Sequence, residues 1–140
     1  MSLVSFPSWG ETWDDIVERD GLLYKKFTET PFTGEVEGIR VYVISPSLTL
    51  KSFQKGKVEQ GKADGFWTIY WENGQLMSKG HYKNNQKDGL WVNYWNNGNL
   101  AWKGDYKNNV EVGHWEYRNM DGSPDTVNTG TYKNGVKVSD

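Results

Sequence analysis

The chain of 140 residues has the length of one ordinary domain. Its net charge of −2 lacks the basic excess of a nucleic-acid binder, and the lack of any Cys excludes a disulfide framework and thiolate chemistry. No apolar run approaches the roughly 18 residues that a membrane-spanning helix needs. The 8 Trp, 8 Tyr and 5 Phe make up 15% of the chain, beside 16 Gly. Aromatic rings favour pleated, half-buried surfaces and glycine marks tight turns, so the composition points to strands rather than helices.

Residues 1–10 stand apart. Leu3-Val4-Ser5-Phe6-Pro7-Ser8-Trp9-Gly10 is apolar and then gives way to Glu11. Ser8 and Gly10 sit where a signal peptidase wants small side chains, so the stretch reads as the tail of a signal peptide or as a disordered or strand-adding terminus. Residues 11–140 form the domain. Thr12 to Arg19 looks like a short helix with Thr12 as its N-cap, Trp13, Ile16 and Val17 on one face, and Gly21 after its end. That face would cover the first edge of a sheet.

Hairpins follow in chain order. Two irregular units are expected near 21–36 and 41–58. The first pairs Gly21 with Val36 and Leu23 with Gly34, around a loop near Thr28-Glu29. The second pairs Val41 with Val58 and Val43 with Gly56, and Pro46 there argues for an edge or a bulge. Three regular units follow, near 65–82, 89–106 and 113–132, and here the sequence repeats itself. Asp64-Gly65-Phe66-Trp67 returns as Asp88-Gly89-Leu90-Trp91 and as Val112-Gly113-His114-Trp115, a period of 24 residues. Asn73-Gly74 and Asn97-Gly98 predict type I′ hairpin turns. Centring the turns there pairs Trp71 with Leu76, Trp67 with Gly80, Gly65 with Tyr82, Trp91 with Gly104 and Gly89 with Tyr106. Each glycine then lies under a cross-strand ring. In the last unit two extra residues fall in the turn around Asp121-Gly122-Ser123-Pro124, and Trp115 still faces Gly130. Alternation puts Trp67, Ile69, Trp71, Leu76, Tyr82, Trp91, Trp95, Leu100, Trp102, Tyr106, Trp115, Tyr117 and Tyr132 on a ring-rich face. The mixed face opposite carries Phe66, Tyr70, Met77, His81, Leu90 and Tyr94.

Tyr70-Trp71-Glu72-Asn73-Gly74-Gln75-Leu76, followed by Lys79-Gly80-His81-Tyr82-Lys83-Asn84 and Asp88-Gly89-Leu90-Trp91, resembles the MORN repeat in its bacterial variant form. The likeness is good over residues 64–137 and weak over 20–63. It implies stacked hairpins in one elongated, twisted, all-β antiparallel sheet, and interaction or scaffolding rather than chemistry. Proteins of this look are often labelled YwqK-type antitoxins, and lipid binding has also been attributed to such repeats. With a signal remnant at its N-terminus, the protein would be exported to the periplasm or cell surface of a bacterium. Without one it would be cytoplasmic.

No catalytic constellation emerges. His81 and His114 occupy ordinary repeat positions, replaced in sister units by Asp105 and Thr131 and by Phe66 and Leu90. Asp14-Asp15 and Glu35/Glu37 read as a favourable helix start and as solvated strand residues. Asp121 and Asp125 are too few for calcium and read as turn formers. No cofactor, metal or nucleic acid is implied. The aromatic rows are the one feature with binding potential. Trp67, Trp91 and Trp115 with Gly80, Gly104 and Gly130 are the structural repeat positions. Trp71, Trp95, Trp102 and Tyr94, nearer the hairpin tips, are the candidate binding residues. The reading is a non-catalytic protein-interaction module, with a glycan- or envelope-binding module as the alternative, and a homodimer through the edge of the last hairpin.

Overall fold

The computed structural model describes residues 10–140, and for Tyr42 and Val43 the backbone only. The signal-remnant expectation therefore falls outside the described residues, Gly10 excepted. The strands are β1 (Glu11–Thr12), β2 (Ile16–Arg19), β3 (Leu22–Lys25), β4 (Gly34–Ser45), β5 (Leu48–Glu59), β6 (Lys62–Tyr70), β7 (Leu76–Lys83), β8 (Gln86–Tyr94), β9 (Leu100–Lys107), β10 (Val110–Tyr117), β11 (Gly130–Lys133) and β12 (Val136–Ser139). Ten of them form one sheet in the order β1-β4-β5-β6-β7-β8-β9-β10-β11-β12, while β2 and β3 pair only with each other. All neighbours are antiparallel except β1, which lies parallel to β4.

Two kinds of turn alternate along the sheet. On one side Gln60-Gly61, Asn84-Asn85, Asn108-Asn109 and Asn134-Gly135 all have positive φ at both residues, which is the type I′ requirement. On the other side Gly74 N–H donates to Trp71 O at 2.9 Å and Trp71 N–H donates to Gln75 O at 2.8 Å. Gly74 alone has positive φ there, +85°, so this tip is a type I turn closed by a glycine bulge. The same bonds recur at Trp95–Asn99 and Asn119–Ser123. The expected type I′ turns at Asn73-Gly74 and Asn97-Gly98 are thus corrected. The extra bulge residue makes Tyr70, not Trp71, the partner of Leu76. The last tip equals its sisters, and its two extra residues follow it, between Ser123 and Gly130.

Within the regular hairpins the predicted registers hold: Trp67 with Gly80, Gly65 with Tyr82, Trp91 with Gly104, Gly89 with Tyr106 and Trp115 with Gly130. The rings, however, lean the other way. A β-carbon at Gly56, Gly80 or Gly104 would overlap the ring of Trp67, Trp91 or Trp115 respectively, each from the hairpin that follows. A bulge does this. Between β7 and β8, His81 pairs with Asp88 but Lys79 pairs with Val92, which leaves Gly89-Leu90-Trp91 opposite Gly80. The same slip occurs between β5 and β6 and between β9 and β10. The repeated Asp-Gly-x-Trp motif is this bulge. Gly89, at φ +77°, makes the bend, and a β-carbon there would meet nothing within 4 Å. Tyr106 therefore does not shield it, and the shielded glycine is the one under the neighbouring tryptophan. Gly130 has no ring over it; Lys137 and Ser139 fill that place.

The N-terminal third departs further from expectation. Of the expected helix from Thr12 to Arg19, only Trp13–Asp15 is helical, as one 3-10 turn, because the chain from Ile16 enters β2. Asp20-Gly21 is a type I′ turn, with φ of +51° and +75°, and it pairs β2 with β3, Val17 opposite Tyr24. No hairpin spans 21–36. Gly34 pairs with Val58, Val36 with Gly56 and Val41 with Lys51, so the hairpin expected at 41–58 is longer and differently registered. Pro46 sits in its turn, next to a bulge near Ile44. The sheet's first edge is capped by β1 at Val36 and Glu37 rather than by a helix.

The β2–β3 hairpin lies on the ring-rich face. Trp13, Ile16 and Leu23 pack with Val36, Val58, Trp67 and Trp91 as the buried core, and Leu23 N–H donates to Gly61 O at 2.8 Å. Gly80→Ala should cost about 3 kcal/mol by overpacking against Trp91. Gly89→Ala should cost about 1–2 kcal/mol through its positive φ. Urea unfolding of the two variants measures both.

Candidate functional site

β4 and β5 run 12 residues each, against 8 or 9 for the strands from β6 to β10. Pairing between β5 and β6 ends at Phe53 and Tyr70. The β4–β5 hairpin therefore overhangs the tip of the β6–β7 hairpin, and past the pairings of Glu37 with β1 and Phe53 with β6 no further strand lies beside it among the described residues. Ile39 is 59% exposed, Phe53 40% and Leu50 53%, with Val41, Ile44 and Leu48 exposed beside them. Apolar side chains concentrated in one place mark an interaction surface.

A groove opens on each face under the overhang. One, of about 520 Å³, is lined by Ile39, Lys51, Phe53, Lys55, Tyr70 and Trp71 among others. The other, of about 340 Å³, lies against Leu50, Gln54, Ile69, Trp71 and Met77. Trp71 divides the two. Phe53 and Tyr70 meet edge to face at 5.9 Å and floor the larger groove. Lys55 is held by Glu37 at 3.4 Å, whereas the Lys51 ammonium makes no ion pair among the described residues. Ile39, Leu50, Lys51 and Phe53 are not among the residues singled out from sequence. Their signal was a far half of a strand pair that lies outside the Trp/Gly repeat yet is rich in branched residues around Val41 and Ile44.

The four residues singled out from sequence do not converge. Trp71 lines the grooves, and its indole N–H donates to Tyr94 O in the next hairpin at 3.0 Å. Trp95 repeats that bond one hairpin on, to Arg118 O at 3.0 Å, and Tyr94 is half-buried beside it. Trp102 lies apart on the ring-rich face, 5.4 Å from Trp115 and 6.3 Å from Tyr106. Trp71 and Trp95 are thus rivets between tips. Asn73 and Asn97 add to them through bonds to Asn96 O and Met120 O. The row Trp67, Trp91 and Trp115 is buried, at 4%, 0% and 0% exposure, and forms core rather than a stacking platform.

The other candidates take structural parts. His81 lies against Phe66, with ring centres 5.2 Å apart and the planes tilted by 58°. The Asp121 carboxylate accepts from Ser123 Oγ and N, and the Asp125 carboxylate from Asn128 Nδ2 first, then from Asn128 N and Val127 N. These bonds shape loops and hold both carboxyls below the usual range. Burial, with Glu111 nearby, pushes the Tyr106 phenol up to about 12 and raises Tyr117 as well.

Trp71→Phe and Trp95→Phe each delete one inter-tip hydrogen bond and should cost about 1 kcal/mol in urea unfolding. Tyr106 ionises more easily unfolded than folded. Its contribution is therefore complete below pH of about 10, the unfolded phenol pKa, and is lost as pH rises through about 12. Thermal unfolding followed across that window should show a falling midpoint, and Tyr106→Phe should flatten the fall.

The family model described as MORN repeat variant matches residues 63–84 and 87–108. No curated protein matches the chain. Each matched stretch is one hairpin, β6 with β7 and then β8 with β9. Two hairpins at the centre of the sheet thus match the MORN-variant repeat, with the overhanging hairpin set immediately before them.

Proposed function

We propose that the protein is a non-catalytic protein-interaction module that docks a partner under the overhang of the β4–β5 hairpin. The supporting observation is the cluster of exposed apolar side chains, Ile39, Leu50 and Phe53 among them, around two grooves at one end of a rigid repeat sheet. The partner segment is extended and apolar, fitted to a groove rather than a flat face, and carries an acidic side chain toward Lys51. The repeats supply the rigid wall, so little ordering is left to offset on binding. The antitoxin-like form of this reading rests on the sequence resemblance alone; in it the module neutralises a toxin by occluding it.

The test is affinity capture from the source organism with wild type and an Ile39→Glu/Phe53→Glu variant. Both side chains are substantially exposed, so the variant should keep its unfolding midpoint and lose roughly ten-fold or more in affinity for the captured protein. Val127→Glu, 77% exposed in the last loop, should bind as wild type does. Equal capture by all three would place the docking surface elsewhere.

A further inference from the structure

On the ring-rich face, away from the overhang, one lysine sits among rings. The Lys87 ammonium lies 4.7 Å from the Trp91 ring centre, 4.9 Å from Tyr106 and 5.5 Å from Trp102. Trp102 and Tyr106 stand edge to face at 78°, giving two walls at a steep angle. Glu111 is the nearby carboxylate, and its Tyr117 contact at 3.3 Å holds it on this face. Three ring faces and a carboxylate are what a cation cage needs.

The repeat does not require this arrangement. Position 87 corresponds to Ala63 and Glu111 in the adjoining units, and position 102 to Ser78 and Asn128. The hairpins around them fold without either side chain. Lysine and third ring occur together in one unit only.

Lysine is also an imperfect occupant. Its ammonium carries three N–H donors, and among the described residues it makes no hydrogen bond or ion pair. Burial holds its pKa below the usual lysine range, against the opposing charge of Glu111. A quaternary ammonium needs no hydrogen-bond partner at all and gains the same attraction to the ring faces. We propose that Trp91, Trp102 and Tyr106 form a cation cage for a quaternary ammonium group, with Lys87 as an internal plug that such a group displaces.

Tetramethylammonium chloride, titrated by calorimetry against sodium chloride at constant ionic strength, tests this. Lys87→Ala, which copies Ala63 of the preceding unit, should bind it at least about ten-fold more tightly than wild type, since no plug must leave first. Adding Trp102→Ser, which copies Ser78, should remove that gain. In wild type the Lys87 ε-methylene proton resonances, shifted upfield by the rings, should move to solvent-like values as the probe is added, a readout that needs no variant. Absence of saturable binding to a folded Lys87→Ala protein, indifference to Trp102→Ser, wild-type affinity equal to that of Lys87→Ala, or unmoved Lys87 resonances would each overturn the cage. Trimethyllysine and phosphocholine, titrated alike, tell a modified protein side chain from a choline headgroup by which displaces Lys87 at lower concentration. Displacement by neither also overturns it.

Discussion

A tryptophan ring lying on bare glycine backbone of the preceding hairpin is the contact on which the rest of this sheet depends. A two-stranded hairpin has no buried core of its own and is marginal in water. Trp67, Trp91 and Trp115 each bury themselves on the neighbour's glycine strand, and only glycine leaves room. The Trp67 and Trp91 indole N–H groups then donate to Lys57 O and His81 O, one residue past the covered glycine. Each hairpin is thus completed by the next, which is the nearest-neighbour logic of repeat proteins. The tips repeat the principle through Trp71 and Trp95. At the type I′ turns, the Asn85 and Asn109 side chains accept from Ala63 N and Lys87 N.

Function enters where this logic lapses. β4 and β5 outrun the repeat, so their far half has no following hairpin to cover it, and apolar side chains remain exposed there. A fully regular array would bury or shorten that segment. Lys87 and Trp102 are the second lapse, being side chains that the repeat tolerates without needing. Both candidate sites are additions to a scaffold whose interlocking contacts do not require them.

How much of this was legible follows from the kind of signal each part carries. The registers of the three regular hairpins could be read because Trp67/Gly80, Trp91/Gly104 and Trp115/Gly130 fix them. The direction in which the rings lean could not, since a bulge depends on pairing between hairpins rather than within one. The N-terminal third misled because Trp13, Ile16 and Val17 fit a helical face as well as a strand, an ambiguity inherent in short apolar runs. Asp20-Gly21 was the stronger cue, as a type I′ pair between two four-residue runs. In β4–β5 the turn lies at Pro46-Ser47, where proline's fixed φ suits it, and placing the turn later displaced every pair. The overhang depends on relative strand lengths, so no single residue announces it. Trp71 was found from sequence because the repeat displays it, and its role as a rivet needed the third dimension.

Each tryptophan covers the glycine of the preceding hairpin rather than its own partner, and a double-mutant cycle in urea unfolding measures this directly. Gly80→Ala is made in wild type, in Trp91→Val and in Trp67→Val. Interlocked hairpins predict that Trp91→Val relieves the added methyl, giving a coupling of about 1.5 kcal/mol or more, whereas Trp67→Val leaves the cost nearly additive. Coupling to Trp67 with additivity toward Trp91 would contradict this, and the hairpins would then be self-contained units rather than interlocked ones.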